Sequence, residues 1–187
     1  MSDPARKKAS YEDLYSIPEN MTGEIINGEL IVTPRPSRRH GFAASHLGAR
    51  LITPYDFAEG GGPGGWIFIL EPEIGLGENI VVPDLAGWRK ERFPVDEPHN
   101  WISVAPDWIC EILSPSTARY DRIRKMRIYG LHEVPYLWLI DPGDRTFEAF
   151  KLESGRWLKL AGFEENEKVR AEPFQEIEID LGNLWID

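Results

Sequence analysis

The chain predicts one α/β domain, a mixed β-sheet flanked by helices, with an N-terminal hairpin and an antiparallel C-terminal extension. Three observations carry this. Asn27-Gly28 joins two strand-like runs between Gly23 and Val32, and that dipeptide suits the left-handed backbone of a two-residue hairpin loop. Trp108 to Leu113, a helix-compatible stretch to about Leu131, and Tyr136 to Ile140 form a strand, helix, strand unit, which favours parallel strands. From Thr146 onward, apolar and polar residues alternate, as in antiparallel strands with one face buried.

In chain order, residues 1–10 are polar and expected to be flexible, and a short helix is expected around Tyr11 to Ser16. Ser37 to Phe57 carries Phe42, His46, Leu47, Leu51 and Ile52 at mostly three- and four-residue spacing, one face of a helix that Pro54 disturbs near its end. The glycine run from Gly60 to Gly65 reads as a mobile turn. Trp66 to Ile74, Ile80 to Trp88 and Trp108 to Leu113 read as central strands, with Gly75 to Asn79 connecting the first two. Ser114-Pro115-Ser116-Thr117 offers cap and first-turn chemistry for the next helix. Thr146 to Leu152, Arg156 to Phe163 and Pro173 to Ile179 form the extension, with turns at Ser154-Gly155 and Glu164 to Glu167. No repeat or long linker divides residues 11–187.

At 187 residues, 42% hydrophobic and 28% charged, the composition is globular. No apolar run approaches the roughly 18 residues a spanning helix needs, and the N-terminus lacks signal-peptide character, so a soluble, cytoplasmic protein is expected. The single cysteine, Cys110, excludes an internal disulfide and an all-cysteine zinc site. A net charge of −10 opposes any broad attraction to nucleic acid. Positive charge is local: Arg35, Arg38 and Arg39; Arg89, Lys90 and Arg92; and Arg119, Arg122, Arg124, Lys125 and Arg127.

Pro83-Asp84 is followed 27 residues later by Glu111, inside an apolar run. Two carboxylates brought together in a sheet can hold magnesium, a hard cation that binds oxygen and activates water for attack on phosphorus. The plainer reading pairs Glu111 with an arginine, or leaves it at a sheet end, and makes Asp84 the start of a turn. Strand alternation puts Glu111 on the face of Ile109 and Leu113. Asp121, Lys125 and Tyr129 follow at four-residue intervals, one helix face that can lean over the strand end. Lys125 there would stabilise transition-state charge or orient the attacking water. The plainer alternative is a surface ion pair with Asp121, worth under about 0.5 kcal/mol.

Several short motifs then fall in order: Glu24 with Gly28-Glu29, Pro36-Ser37 with His40, Val82 to Trp88, Pro106-Asp107, Glu111 to Thr117, Asp121, Lys125, Tyr129, and Tyr136 to Pro142. Together they resemble a large bacterial family named for restriction endonucleases, formerly a domain of unknown function, within the PD-(D/E)xK nuclease superfamily. The resemblance spans roughly Tyr11 to Phe163. It implies a restriction-endonuclease-like mixed sheet, with Asp84, Glu111 and the main-chain carbonyl of Ile112 as metal ligands. In the superfamily's simplest pattern the lysine stands two residues after the acid; here that residue is Leu113, and Lys125 is the matching position. Glu24 matches another acidic position, suited to a metal-bound water or second ion, with an exposed hairpin charge as the alternative. His40 would contact phosphate or assist at a helix start, unless it is a surface residue beside Arg38 and Arg39.

The implied activity is a magnesium-dependent DNA endonuclease, with manganese as substitute. Cleaving both strands of double-stranded DNA calls for two sites and so for a homodimer. The alternative is a catalytically weak or inactive nuclease fold kept for DNA binding or regulation. Other chemistries lack support. Ser114, Ser116 and Thr117 lie in no nucleophile elbow and read as helix caps, and the glycine run lacks the Gly-Lys-Ser/Thr ending of a phosphate loop. Trp66, Trp108, Trp138 and Trp157 read as mostly core, leaving Trp88 and Trp101 as candidate base-stacking residues.

Overall fold

A computed structural model describes residues 8–186. After α1 (Tyr11–Leu14), β1 (Met21–Ile26) and β2 (Glu29–Pro34) form the expected hairpin. Asn27 and Gly28 take positive φ, 53° and 78°, the twist sense that lets the strands pair without splaying. Of the expected flexible residues 1–10, 1–7 lie outside the described residues. From there the chain is tied down: the Ala9 amide donates to the Gly28 carbonyl at 2.9 Å, and Lys8 pairs with Glu78 at 2.6 Å.

Helix α2 (Arg38–Tyr55) starts at Ser37, whose side chain accepts from the His40 amide. Its buried stripe is His40, Ala43, Leu47, Leu51 and Tyr55, one residue set round from the expected face. Phe42 and His46 stack on each other at 3.7 Å outside that stripe, because small Ala43 and Gly48 are the residues that let the helix approach the sheet. Pro54 falls in the last turn, where its missing N–H removes only a terminal bond. The glycine run folds back onto it: Gly64 donates to the Pro54 carbonyl at 3.0 Å, and a Cβ on Gly62 would stand 2.2 Å from that oxygen.

Strands β3 (Trp66–Leu70), β6 (Leu85–Arg89) and β7 (Trp108–Ile112) join β8 (Tyr136–Asp141), β9 (Thr146–Glu153) and β10 (Arg156–Glu164) in a six-stranded mixed sheet, ordered β10-β9-β8-β7-β6-β3. Strands β4 (Ile74–Leu76) and β5 (Asn79–Val81) instead extend the N-terminal hairpin into a second sheet, ordered β2-β1-β5-β4. Each of the two runs expected as one central strand is therefore split between sheets. The breaks fall at Glu71-Pro72, where Glu71 has φ 48°, and at Pro83; proline cannot donate to a sheet ladder, so pairing stops there. Within the large sheet β3 is an edge, and β7 pairs parallel with β8 as the strand, helix, strand pattern requires.

Between β7 and β8 the chain forms α3 (Ala118–Tyr120), a π-helical turn (Asp121–Lys125) and α4 (Met126–Leu131). The span matches the expected helix. The cap does not: Thr117 makes no side-chain capping bond, and the Ser114 hydroxyl lies 3.0 Å from those of both Ser116 and Thr117. Of the expected strand from Pro173 to Ile179, only its last residue is extended, in β12 (Ile179–Asp180), which pairs with β11 (Lys168–Val169).

The six-stranded sheet is covered on both faces. On one, α2 and the C-terminal segment pack against Trp66, Leu85, Trp108, Cys110 and Trp138, with Phe174 inserted among them. On the other, Ile26, Ile74 and Val81 of the smaller sheet and Ile128 and Tyr129 of α4 meet Ala86, Trp88, Ile109 and Leu113. Burial on both faces explains why β7 reads as a continuous apolar run, and why Glu111 within it is conspicuous. Among the described residues no helix is long and apolar enough to cross a membrane.

Candidate active site

Leu85 pairs with Cys110 across β6 and β7, and one step further that register sets Asp84 against Glu111. Both then lie on the face of Ile109 and Leu113, where the smaller sheet and α4 close over them. Asp84 is fixed by two bonds: its Oδ2 accepts the Ile112 amide at 2.6 Å, and its Oδ1 lies 3.1 Å from His40 Nε2. The first ties one central strand to the next. The second brings in the start of α2.

Glu111 is 2% exposed, and such a carboxylate needs partners. Lys125 Nζ stands 2.8 Å from its Oε1, and the Tyr129 hydroxyl donates to the same oxygen. The ammonium also meets Glu24 Oε1 at 3.0 Å and the Val82 carbonyl at 3.2 Å, with Asp121 Oδ1 at 3.9 Å. Glu24 in turn accepts the Val82 amide at 2.8 Å. Asp121, Lys125 and Tyr129 do point to one place, and Lys125 is buried rather than paired at the surface. The turn between the two buried charges is π-helical, its Met126 amide reaching back to the Asp121 carbonyl, and Ile123 and Arg124 within it face solvent.

Charge in this cluster is strongly perturbed. Burial pushes the Glu111 carboxyl well up, against the pull of Lys125, and the carboxylates of Asp121, Asp84 and Glu24 add to the rise. Burial likewise carries Asp121 up to about 6, opposed by Lys125. Burial alone would lower Lys125; Glu111 and Glu24 override it and hold the ammonium well above its usual range. For His40 burial also opposes the charge, and the Asp84 contact outweighs it, raising the imidazole.

All these side chains except Tyr129 line one cavity of about 360 Å³. Among the described residues, Glu24, Asp84, Glu111 and Asp121 face Lys125 as a buried cation, with His40 a second when it is protonated. The donors are oxygens, the set a hard divalent cation takes, and carboxylates outnumber cations, so the residues fit such an ion. Among the described residues, no three Asp, Glu, His or Cys side chains already converge as a ligand set; Asp84, Glu111 and a main-chain oxygen fall below that count.

Some residues enter that sequence reasoning did not place here. Ser114, Ser116 and Thr117, expected as caps, form one rim, and Thr22, Thr33, Tyr120 and Glu71 complete the wall. Arg35, assigned to a basic cluster only, lines the cavity as well; its place five residues before His40 was the available signal. Trp88 is fully buried, its indole N–H donating to the Val104 carbonyl, so it cannot stack on a base. Trp101 stacks on His99 and packs against Tyr11, away from the cavity lining.

Comparison with known proteins agrees with this architecture. A crystal structure titled as "a putative nuclease belonging to DUF820", from Anabaena variabilis ATCC 29413, superposes with a TM-score of 0.74 over 92% of this chain and 95% of that one, at 23% identity. That identity supports the shared fold. No curated protein matches the chain. The model of the Uma2 family, described as "Putative restriction endonuclease", matches residues 9–182, nearly the whole length, and the chain belongs to that family.

Proposed function

We infer that the chain is a metal-dependent DNA endonuclease that hydrolyses phosphodiester bonds. The observation that carries this is the convergence of Asp84, Glu111 and Lys125, from two strands and the following helix, on one cavity. Asp84, Glu111 and the Ile112 carbonyl would hold magnesium, or manganese in its place. When bound, the ion supplies water activation and charge neutralisation at phosphorus. The protein's own residues supply position. The Ile112 amide and His40 fix both oxygens of Asp84, so this carboxylate is set before substrate arrives. Tyr129 and Lys125 fix Glu111 Oε1. Glu111 and Glu24, with Asp121 further off, hold Lys125 charged and at the strand end, where its field opposes negative charge building on the phosphoryl group. Cleavage of both strands of a duplex would use two copies of the chain as a homodimer.

One observation favours a second reading, a nuclease fold with weak or no catalysis that serves in DNA binding or regulation. The Lys125 ammonium already has three acceptors, Glu24, Glu111 and Val82, equal to its three N–H donors. The two readings separate in calorimetric titration with magnesium or manganese, run beside plasmid cleavage, on the native chain, Asp84→Ala and Lys125→Ala. The endonuclease reading requires metal binding that Asp84→Ala removes and cleavage that both substitutions remove. A native chain that binds no divalent ion at millimolar concentration sinks it.

A further inference from the structure

With Lys125 committed to its carboxylates, the cavity needs another cation to receive a phosphate. Its lining includes three candidates, Lys125, His40 and Arg35. The Lys125 side chain is 4% exposed and fully engaged, and the His40 side chain is 10% exposed with Nε2 on Asp84. Arg35 differs. Its side chain is 56% exposed, and its contacts are long: Nη1 lies 3.5 Å from Glu71, and Nε and Nη2 each lie 3.3 Å from the Glu19 carbonyl. A guanidinium has five N–H donors in a fork that matches phosphate, so Arg35 retains capacity that Lys125 lacks.

We propose that Arg35 is the phosphate-binding residue of this cavity, and that Glu71 occupies its guanidinium until a nucleic-acid phosphate displaces the carboxylate. The proposal rests on the reading of the cavity as a phosphodiester-cleaving site.

Glu71 is held where this exchange can work. It lines the same cavity, and its amide donates to the Asp84 carbonyl at 3.0 Å, so it stands beside the acidic pair. The Arg35–Glu71 pair has both side chains about half exposed, at 56% and 44%, a setting in which ion pairs contribute little and partners exchange readily. A charge-assisted, forked contact to phosphate is the stronger bond. The start of α2 adds to the same wall: Pro36, Ser37 and His40 line it, and the first helical turn carries Arg38 and Arg39 with no acid, a field that favours an anion. Arg35 therefore gives a chain of net charge −10 a local point of attraction at the site itself.

The test is fluorescence anisotropy of the full chain with a labelled DNA duplex and the matching single strand, in EDTA so that no cleavage intervenes. Arg35→Gln should weaken binding about tenfold to a hundredfold, the worth of a charged hydrogen bond, and reduce the salt slope by about one. Arg35→Lys should recover part of the loss, keeping charge without the fork. Glu71→Gln should tighten binding, because it removes the competitor. A purely structural pair would predict the opposite: both substitutions would lower unfolding stability alike and leave affinity alone. Native affinity retained in Arg35→Gln, or weakened binding in Glu71→Gln, overturns the proposal. A native chain that binds neither polymer in EDTA, and neither binds nor cleaves them with manganese restored, overturns the phosphodiester reading and the proposal with it.

Discussion

Lys125 Nζ lies 2.8 Å from Glu111 Oε1, and the two residues come from different elements, a π-helical turn and the central strand β7. Both side chains are under 5% exposed. Breaking a buried pair from one side leaves the other charge unsolvated, at a cost of about 3 to 5 kcal/mol. Lys125→Met, which keeps the stem volume, should therefore destabilise the fold by that amount. Adding Glu111→Gln should return part of the loss. Denaturant unfolding of both single variants and the double variant measures it; strictly additive losses would show that the two residues act independently.

Tyr129→Phe removes one hydroxyl and leaves the ring in the core cluster that it shares with Ile109 and Leu113. Its donation to Glu111 is then lost inside the core, and about 1 to 3 kcal/mol of stability should go with it. On the endonuclease reading, cleavage should fall as Glu111 loosens, while packing stays intact. Near-ultraviolet circular dichroism unchanged from native, beside a lowered unfolding midpoint, is the expected combination.

Phe174 lies on irregular chain between β11 and β12, yet its ring sits 4.8 Å from those of Tyr55 and Trp66, 5.2 Å from that of Trp108, and 5.5 Å from those of Phe68 and Trp138. It ties α2 to the six-stranded sheet. Phe174→Ala should cost about 3 to 5 kcal/mol, lowering the thermal midpoint by about 6 to 20 °C for a chain of this size. Differential scanning calorimetry decides this, and a shift within the scatter of surface substitutions would refute the role.

Glu148 supplies a pH signature away from the cavity. Burial pushes its carboxyl up, but Lys159 at 2.8 Å and Arg122 at 2.5 Å outweigh this and hold it below the usual range. A depressed carboxylate contributes stability that is fully present above its unfolded pKa and lost as pH falls through its folded pKa. Glu148→Gln should therefore be less stable than native at neutral pH, by no more than about 1 kcal/mol because solvent screens the pair. The difference should vanish once pH drops below the folded value. Urea midpoints across pH 2 to 7 trace it, and a gap that persists at the acid end would assign the effect to packing instead.

Much of the site was legible because its signals are local. Asn27-Gly28 specifies the hairpin that presents Glu24, alternation in β7 places Glu111, and four-residue spacing brings Asp121, Lys125 and Tyr129 together. The division of Trp66 to Ile74 and Ile80 to Trp88 between two sheets was not legible, because apolar composition is the same whichever sheet a strand joins. Proline at Pro72 and Pro83 marked the breaks but not their destinations. Arg35 was hidden for a related reason. Nothing in a Thr-Pro-Arg-Pro-Ser sequence distinguishes a solvated arginine from one lining a cavity, since the closing wall comes from residues 71, 84 and 111 onward.

The π turn from Asp121 to Lys125 has a consequence for comparing relatives. Such a turn holds one residue more than an α turn, so deleting an exposed neighbour such as Ile123 would leave an ordinary α turn. Asp121 and Lys125 would then stand three residues apart, a spacing that still sets both on one helix face. The helix face, rather than the exact spacing, thus sets the ammonium at the strand end. An alignment scored column by column would miss a related chain whose lysine has slid by one position to keep the same place in space.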